Sequence, residues 1–135
     1  MSLVADAPWL FVQSTGHLIR PNGTLCGVGY SGHGPGVNNP EMQAVSNVGP
    51  LPCGFYTIGA AVDHPMLGPV AMPLTPDGAN TMFGRGHFWI HGNNRTNDAS
   101  LGCIIQGHPA REELAATANR RLRVIAEPLP VQQAA

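Results

Sequence analysis

HGNNRTNDASLGCII, His91 to Ile105, is the stretch on which the reading of this chain turns. The apolar run Phe88-Trp89-Ile90 comes before it, and it closes on Ser100-Leu101-Gly102-Cys103 and a second apolar pair, Ile104-Ile105. A short aromatic and β-branched run that ends in a His and breaks into a Gly/Asn-rich segment reads as a strand delivering an imidazole to a loop. Thiol chemistry needs a base for the sulfur proton and backbone N–H groups for an oxyanion. The His, the polar loop and the Ser-x-Gly-Cys turn offer these parts together.

Working outward, 135 residues with 43% apolar content allow one domain with one core. Charged residues make up 11%, all seven basic residues are Arg, and 17 Gly and 13 Pro indicate many turns between short elements. A mainly β fold with function carried on loops is expected. The net charge of −1 and the lack of a basic cluster among aromatics give no case for nucleic acid. The first residues have neither a basic segment nor an apolar stretch of signal-peptide length, and no run approaches a membrane span. Synthesis in the cytoplasm without a Sec signal is therefore expected. Cys26, Cys53 and Cys103 are too few for a disulfide scaffold, and their odd number leaves at least one thiol free. Cys26 and Cys53 read as small apolar fillers, or as a pair in an oxidising compartment.

Trp9–Gln13, His17–Arg20 and Thr24–Tyr30 read as a β-meander with turns at Ser14-Thr15-Gly16 and Pro21-Asn22-Gly23. Residues 31–50 read as a long ordered loop, a length usually tied to function. Phe55–Ile58 is a strand, and Val70–Leu74 is expected at a sheet edge because Pro69 and Pro73 cannot donate to a ladder. Pro76-Asp77-Gly78 is a turn, and His87–His91 is the strand that presents His91. One short C-terminal helix is expected over about 109–121. Pro109 sits in its first turn, Glu112 and Glu113 near its positive end, and Arg120 and Arg121 near its negative end. Leu114, Ala118 and Leu122 form its buried stripe. Leu122–Ala126 reads as the last strand. Residues 1–8 and 128–135 read as loose tails of a single domain, 1–135.

For a Cys taken alone, a buried structural thiol is the common case. Gly102 allows close backbone approach to a ligand and Ser100 can bond the turn, which favours Cys103 as a nucleophile. The N–H groups of Leu101, Gly102 and Cys103 would then hold an oxyanion. A lone His at a strand end is usually a satisfied core residue, but His91 lies across one loop from that thiol, which makes it the natural base. Asp98 or a backbone carbonyl would fix its tautomer. A mixed metal site from His87, His91, Cys103 and His108 lacks the usual paired spacing and stands as the minor alternative. Arg85 and Arg95 could grip a substrate carboxylate, with solvated charge as the plainer alternative. Trp9, Trp89, Tyr30 and Tyr56 read first as core.

The apolar strand ending in His-Gly, the variable loop and Ser-x-Gly-Cys-Ile resemble the catalytic motif of L,D-transpeptidases, enzymes of bacterial peptidoglycan. Further matches run from about Trp9 to Ile125. They include Gln13-Ser-Thr-Gly16, Gly29-Tyr-Ser-Gly32, Asn38-Asn-Pro40, Asn47-Val-Gly-Pro50 with Pro52 and Gly54, Ile90-His-Gly92 and Asp98-Ala-Ser100. Together they look like the type VI secretion L,D-transpeptidase effectors, antibacterial toxins that act in the periplasm of rival cells. The resemblance implies an L,D-transpeptidase-like β-sandwich or barrel with Cys103 as nucleophile and His91 as base. Cys103 would attack the third residue of a tetrapeptide stem, expel the terminal D-Ala and form a thioester. Water would complete a carboxypeptidase cycle and a D-amino acid an exchange, and the resemblance implies that no metal or organic cofactor is needed. Tyr30, Asn39 and Gly92 fall in the matched segments and are expected at the substrate, with Arg85 and Arg95 as its cations. Secretion machinery and a cognate immunity protein are the implied partners. Two positions depart from the general enzymes: Leu101 stands where they have a His, and Ile105 where they have an Arg. The rival expectations are a silent peptidoglycan-binding domain of the same fold and a general cysteine peptidase or amidase.

Overall fold

The computed structural model describes residues 7–129. Most of the two expected loose tails lies outside those residues. The described strands are β1 Trp9–Val12, β2 His17–Ile19, β3 Leu25–Val28, β4 Tyr30–Ser31, β5 Gly54–Ile58, β6 Val62–His64, β7 Gly68–Pro76, β8 Phe88–His91, β9 Ile104–Ile105 and β10 Arg121–Ile125, with one helix, α1, at His108–Ala116. Alternation along the strands sets the faces: in β5, Tyr56 and Ile58 point inward while Phe55 and Thr57 point out.

The strands form one sheet in the order β3-β2-β1-β10-β5-β7-β8-β9-β4, with β6 added to β7. Pairs β1–β10 and β8–β9 are parallel and the rest antiparallel. The two ends of this order, β3 and β4, are consecutive in the chain and separated only by Gly29. A single stretch therefore pairs with β2 and then with β9, which nearly closes the sheet into a barrel. Gly29 is required for the crossing, because a Cβ there would lie 1.7 Å from the Ile105 carbonyl oxygen. The core packs Trp9, Phe11, Leu18, Tyr56, Ile58, Met72, Ile90, Ile104, Leu114, Leu122 and Val124. This is the expected mainly β fold with one short helix.

Several expectations are corrected. The predicted third strand is two strands, because Gly29 breaks it. The segment around Val70–Leu74 is no edge: β7 is nine residues long and pairs with β5 on one side and β8 on the other. Pro73 accepts from the Gly59 N–H at 2.7 Å but cannot return a bond. The Gly59 carbonyl is instead satisfied by Arg120 Nη2 at 2.6 Å, so a proline is tolerated inside the sheet. The helix ends at Ala116, five residues early, with Thr117 extended at its C-cap. Arg120 turns back to donate to the Leu114 and Thr117 carbonyls at 2.6 and 3.2 Å. Ala118 is exposed, and Leu122 reaches the core from β10. Arg121 pairs with Asp77. Strands β6 and β9 had no recognisable signal in the sequence.

Residues 32–50 are a loop with two 3-10 turns, Gly34–Gly36 and Pro40–Met42, and Ser31, expected in that loop, belongs to β4. Its end is fastened to the barrel by Ser31 Oγ, which accepts from the Leu51 N–H at 2.8 Å, and by Gln13, which donates to the Leu51 carbonyl at 2.7 Å.

Candidate active site

Parallel pairing of β8 with β9 places Ile90 opposite Ile104 and His91 opposite Ile105. Continued one step back, this register sets Cys103 beside Trp89, whose N–H donates to Cys103 Sγ at 3.3 Å. His91 lies two residues further along β8, and side chains two apart share a face. Both open onto one cavity of about 370 Å³, lined also by Asn47, Leu67, Gly86, His87, Phe88, Ala99 and Leu101.

His91 Nδ1 sits 2.9 Å from the Gly92 carbonyl. A carbonyl only accepts, so Nδ1 carries the proton and Nε2 presents its lone pair. A backbone carbonyl thus fixes the tautomer, while Asp98 is taken up by Asn94 and Thr96 in the exposed loop. Burial holds the imidazole below its usual pKa; the Gly92 bond raises it, and the nearby charges of Arg111 and His64 lower it further. Burial pushes the Cys103 thiol up, against opposing effects of the Trp89 N–H and Arg85. The resting pair at pH 7 is therefore a neutral thiol and a neutral imidazole, with no hydrogen bond between them among the described residues.

Ser100 is fully buried and builds the turn. Its Oγ accepts from the Gly32 and Gly102 N–H groups at 2.9 and 3.0 Å and donates to the Cys103 carbonyl at 2.6 Å. The Gly102 N–H is thereby occupied. Among the described residues the N–H groups of Leu101 and Cys103 remain without a partner. Gly102 has φ 134, and a Cβ there would lie 2.5 Å from Arg85 Nη2.

Arg85 is 8% exposed and faces inward. It donates to the carbonyls of Gln43, Pro50, Gly49 and Leu101 at 2.6, 2.8, 2.9 and 3.3 Å, and stacks its guanidinium 5.2 Å from the Phe88 ring. It clamps the 32–50 loop onto the cysteine turn, which occupies four of its five N–H groups. Arg95 is exposed on the 92–99 loop. Asn39 caps the Pro40–Met42 turn by accepting from the Glu41 N–H, and donates to the Pro35 carbonyl. Tyr30 is half-buried: its hydroxyl donates to Asn93 and accepts from the Ala99 N–H, bracing the loop between His91 and Cys103. Gly92 is packed against Arg111, whose Nη2 lies 2.7 Å from where a Cβ would be. Trp9 and Tyr56 are core, whereas Trp89 is half-buried beside the site with its ring edge-on to His64 at 5.0 Å.

The three cysteines are unpaired. Among the described residues no group of three or more His, Cys, Asp or Glu is placed to hold a metal ion. His87 shares the cavity with His91, while His108 pairs with Glu112 on α1. Sequence reasoning passed over Arg111 and His64; nothing local to either residue announces that it approaches His91.

A barrel-like β fold that brings Cys103 and His91 to a common cavity defines a class of protein with a candidate thiol–imidazole site. More specifically, residues 27–128 match the model described as the Tlde1 domain, and the chain belongs to that family of type VI secretion effectors. Comparison with curated proteins and with solved structures finds no match. Membership implies secretion, and no helix among the described residues is long and apolar enough to cross a membrane.

Proposed function

We propose that this effector is a cysteine-dependent L,D-carboxypeptidase or L,D-transpeptidase that removes or exchanges the terminal D-Ala of peptidoglycan tetrapeptide stems. The observation that carries the reading is the opening of Cys103 and His91 onto one cavity, with the imidazole Nε2 unoccupied. Cys103 Sγ attacks the carbonyl carbon of the third residue while its proton passes to Nε2. The N–H groups of Leu101 and Cys103 face the developing oxyanion, the Gly102 N–H being taken by Ser100. Collapse expels D-Ala, which receives the proton from His91, and leaves a thioester. Water, deprotonated by His91, then releases the tripeptide and restores the thiol. A D-amino acid in place of water gives exchange.

Proton transfer within the attack suits a site whose resting partners are both neutral. Ile105 is buried and apolar, and Arg85 is engaged with backbone carbonyls, so Arg95 is the cation left for a substrate carboxylate. The site of action is the periplasm of target bacteria, reached through the secretion machinery, and an immunity protein protects the producer.

One observation favours the second reading, a silent peptidoglycan-binding domain: thiol and imidazole make no hydrogen bond to each other. Incubating purified tetrapeptide muropeptides with the wild type and with Cys103→Ala separates the two. The enzyme reading expects loss of one D-Ala with the wild type alone. Equal trimming by both proteins, or by neither, sinks it. A released fragment other than D-Ala identifies a general peptidase or amidase instead.

A further inference from the structure

Arg111 is 7% exposed and, among the described residues, has no carboxylate in ion-pair contact. A buried cation without a counter-ion is costly and calls for an explanation. Its contacts converge on the end of β8. Nε donates to the Gln106 carbonyl at 2.9 Å, and the Gln106 N–H in turn donates to the His91 carbonyl at 3.1 Å. Nη1 donates to the Pro69 carbonyl at 2.6 Å and approaches that of Val70 at 3.4 Å. Val70 has φ 55, a strained value for a β-branched residue, so this part of β7 is held by its surroundings. Nη2 lies against Gly92, where a Cβ would come within 2.7 Å, and the Gly92 carbonyl is the acceptor that fixes the His91 tautomer. Side chains alternate along an extended chain, so Arg111 reaches this strand end from behind, opposite the face that His91 presents to the cavity.

We propose that Arg111 is the positioning residue of His91. From α1 it fastens the backbone on both sides of the imidazole, and its charge adds to burial in favouring a neutral ring that can accept a proton. Because it lies behind the strand, Arg111 acts through His91 and does not touch the substrate. The effect on the base rests on the enzyme reading above; the effect on the ring stands without it. The groups facing His91 are Arg111 from α1, His64 from β6, Cys103 from the turn before β9 and His87 from the cavity wall ahead of β8. Glu112 is the acidic neighbour whose charge acts on Arg111. The direction agrees, since Arg111 is among the groups that lower the His91 pKa.

The test follows the His91 ring protons by NMR across pH in the full chain, with no substrate present. Arg111→Gln should move the His91 midpoint to higher pH, while Arg111→Lys, which keeps the charge, should leave it near the wild-type value. Arg111→Met, similar in length and uncharged, is a second route, and it too should move the midpoint upward. An unchanged midpoint in a folded Arg111→Gln, or in Arg111→Met should the first variant not fold, overturns the proposal. If D-Ala release is established, Arg111→Gln should also lower kcat about tenfold at pH 6 and less at pH 8, with KM nearly unchanged. An equal loss at both pH values would leave Arg111 a merely structural residue. Because the NMR readout needs no substrate, a failed peptidoglycan activity and a failed role for Arg111 give different results.

Discussion

Cys103 and His91 are each held in the uncharged form by burial, and this sets how the thiol should react. A thiolate–imidazolium pair formed at rest would make Cys103 alkylate quickly at neutral pH, with a plateau. With the thiol pushed above its ordinary 9.0, the iodoacetamide rate at Cys103 should instead be slow at pH 7 and still be rising beyond pH 9. A plateau below pH 7 would mean that the pair ionises without substrate. The motif residues were legible because their chemistry is local: a strand, a loop and a turn bring His91 and Cys103 together. The arginines were not legible in this way. Arg85 reads in sequence as a surface charge or a carboxylate grip, yet its partners are four backbone carbonyls, three of them 35 or more residues away. Arg111 offered no local cue at all, since its meaning lies in Gln106, Pro69 and Gly92.

At the scale of elements, Arg120 joins two events that look unrelated in sequence. It closes the C-terminus of α1 and also replaces the donor that Pro73 lacks opposite Gly59. Its four donor contacts, to Ile58, Gly59, Leu114 and Thr117, are lost if it is truncated, and of these carbonyls Leu114 keeps only a 3.4 Å bond from the Thr117 N–H. Arg120→Ala should destabilise the protein by about 2–4 kcal/mol in urea unfolding, more than an exposed arginine would cost. A loss below about 0.5 kcal/mol would show that water serves those carbonyls equally well. The same contacts explain why proline misled the placement of β7. A missing N–H argues for an edge only when no distant side chain answers the orphaned carbonyl. The helix was overextended because Arg120 and Arg121 fit a last turn by charge, whereas Arg121–Ile125 pairs with both β1 and β5.

For the whole molecule, the closing of the sheet rests on one glycine. Gly29 passes the chain from β2 to β9, and β9 follows directly on the Cys103 turn. Gly29→Ala should therefore cost about 3 kcal/mol or more and raise hydrogen exchange in both β4 and β9. An alanine variant of wild-type stability would mean that the closure can shift to admit a Cβ. Strand alternation made the meander, β5 and β8 readable, but two-residue strands such as β4 and β9 are too short to show a period. Closure of a barrel is a property of pairing and has no local signature.

The most direct test of the proposed chemistry is the intact mass of the protein, acid-quenched seconds after mixing with a tetrapeptide stem. A thioester cycle predicts an adduct equal to the tripeptide acyl group, removed by hydroxylamine, mapping to the peptide that contains Cys103 and absent from Cys103→Ala. Release of D-Ala by the wild type with no such adduct on Cys103, or with the adduct on another residue, would contradict it.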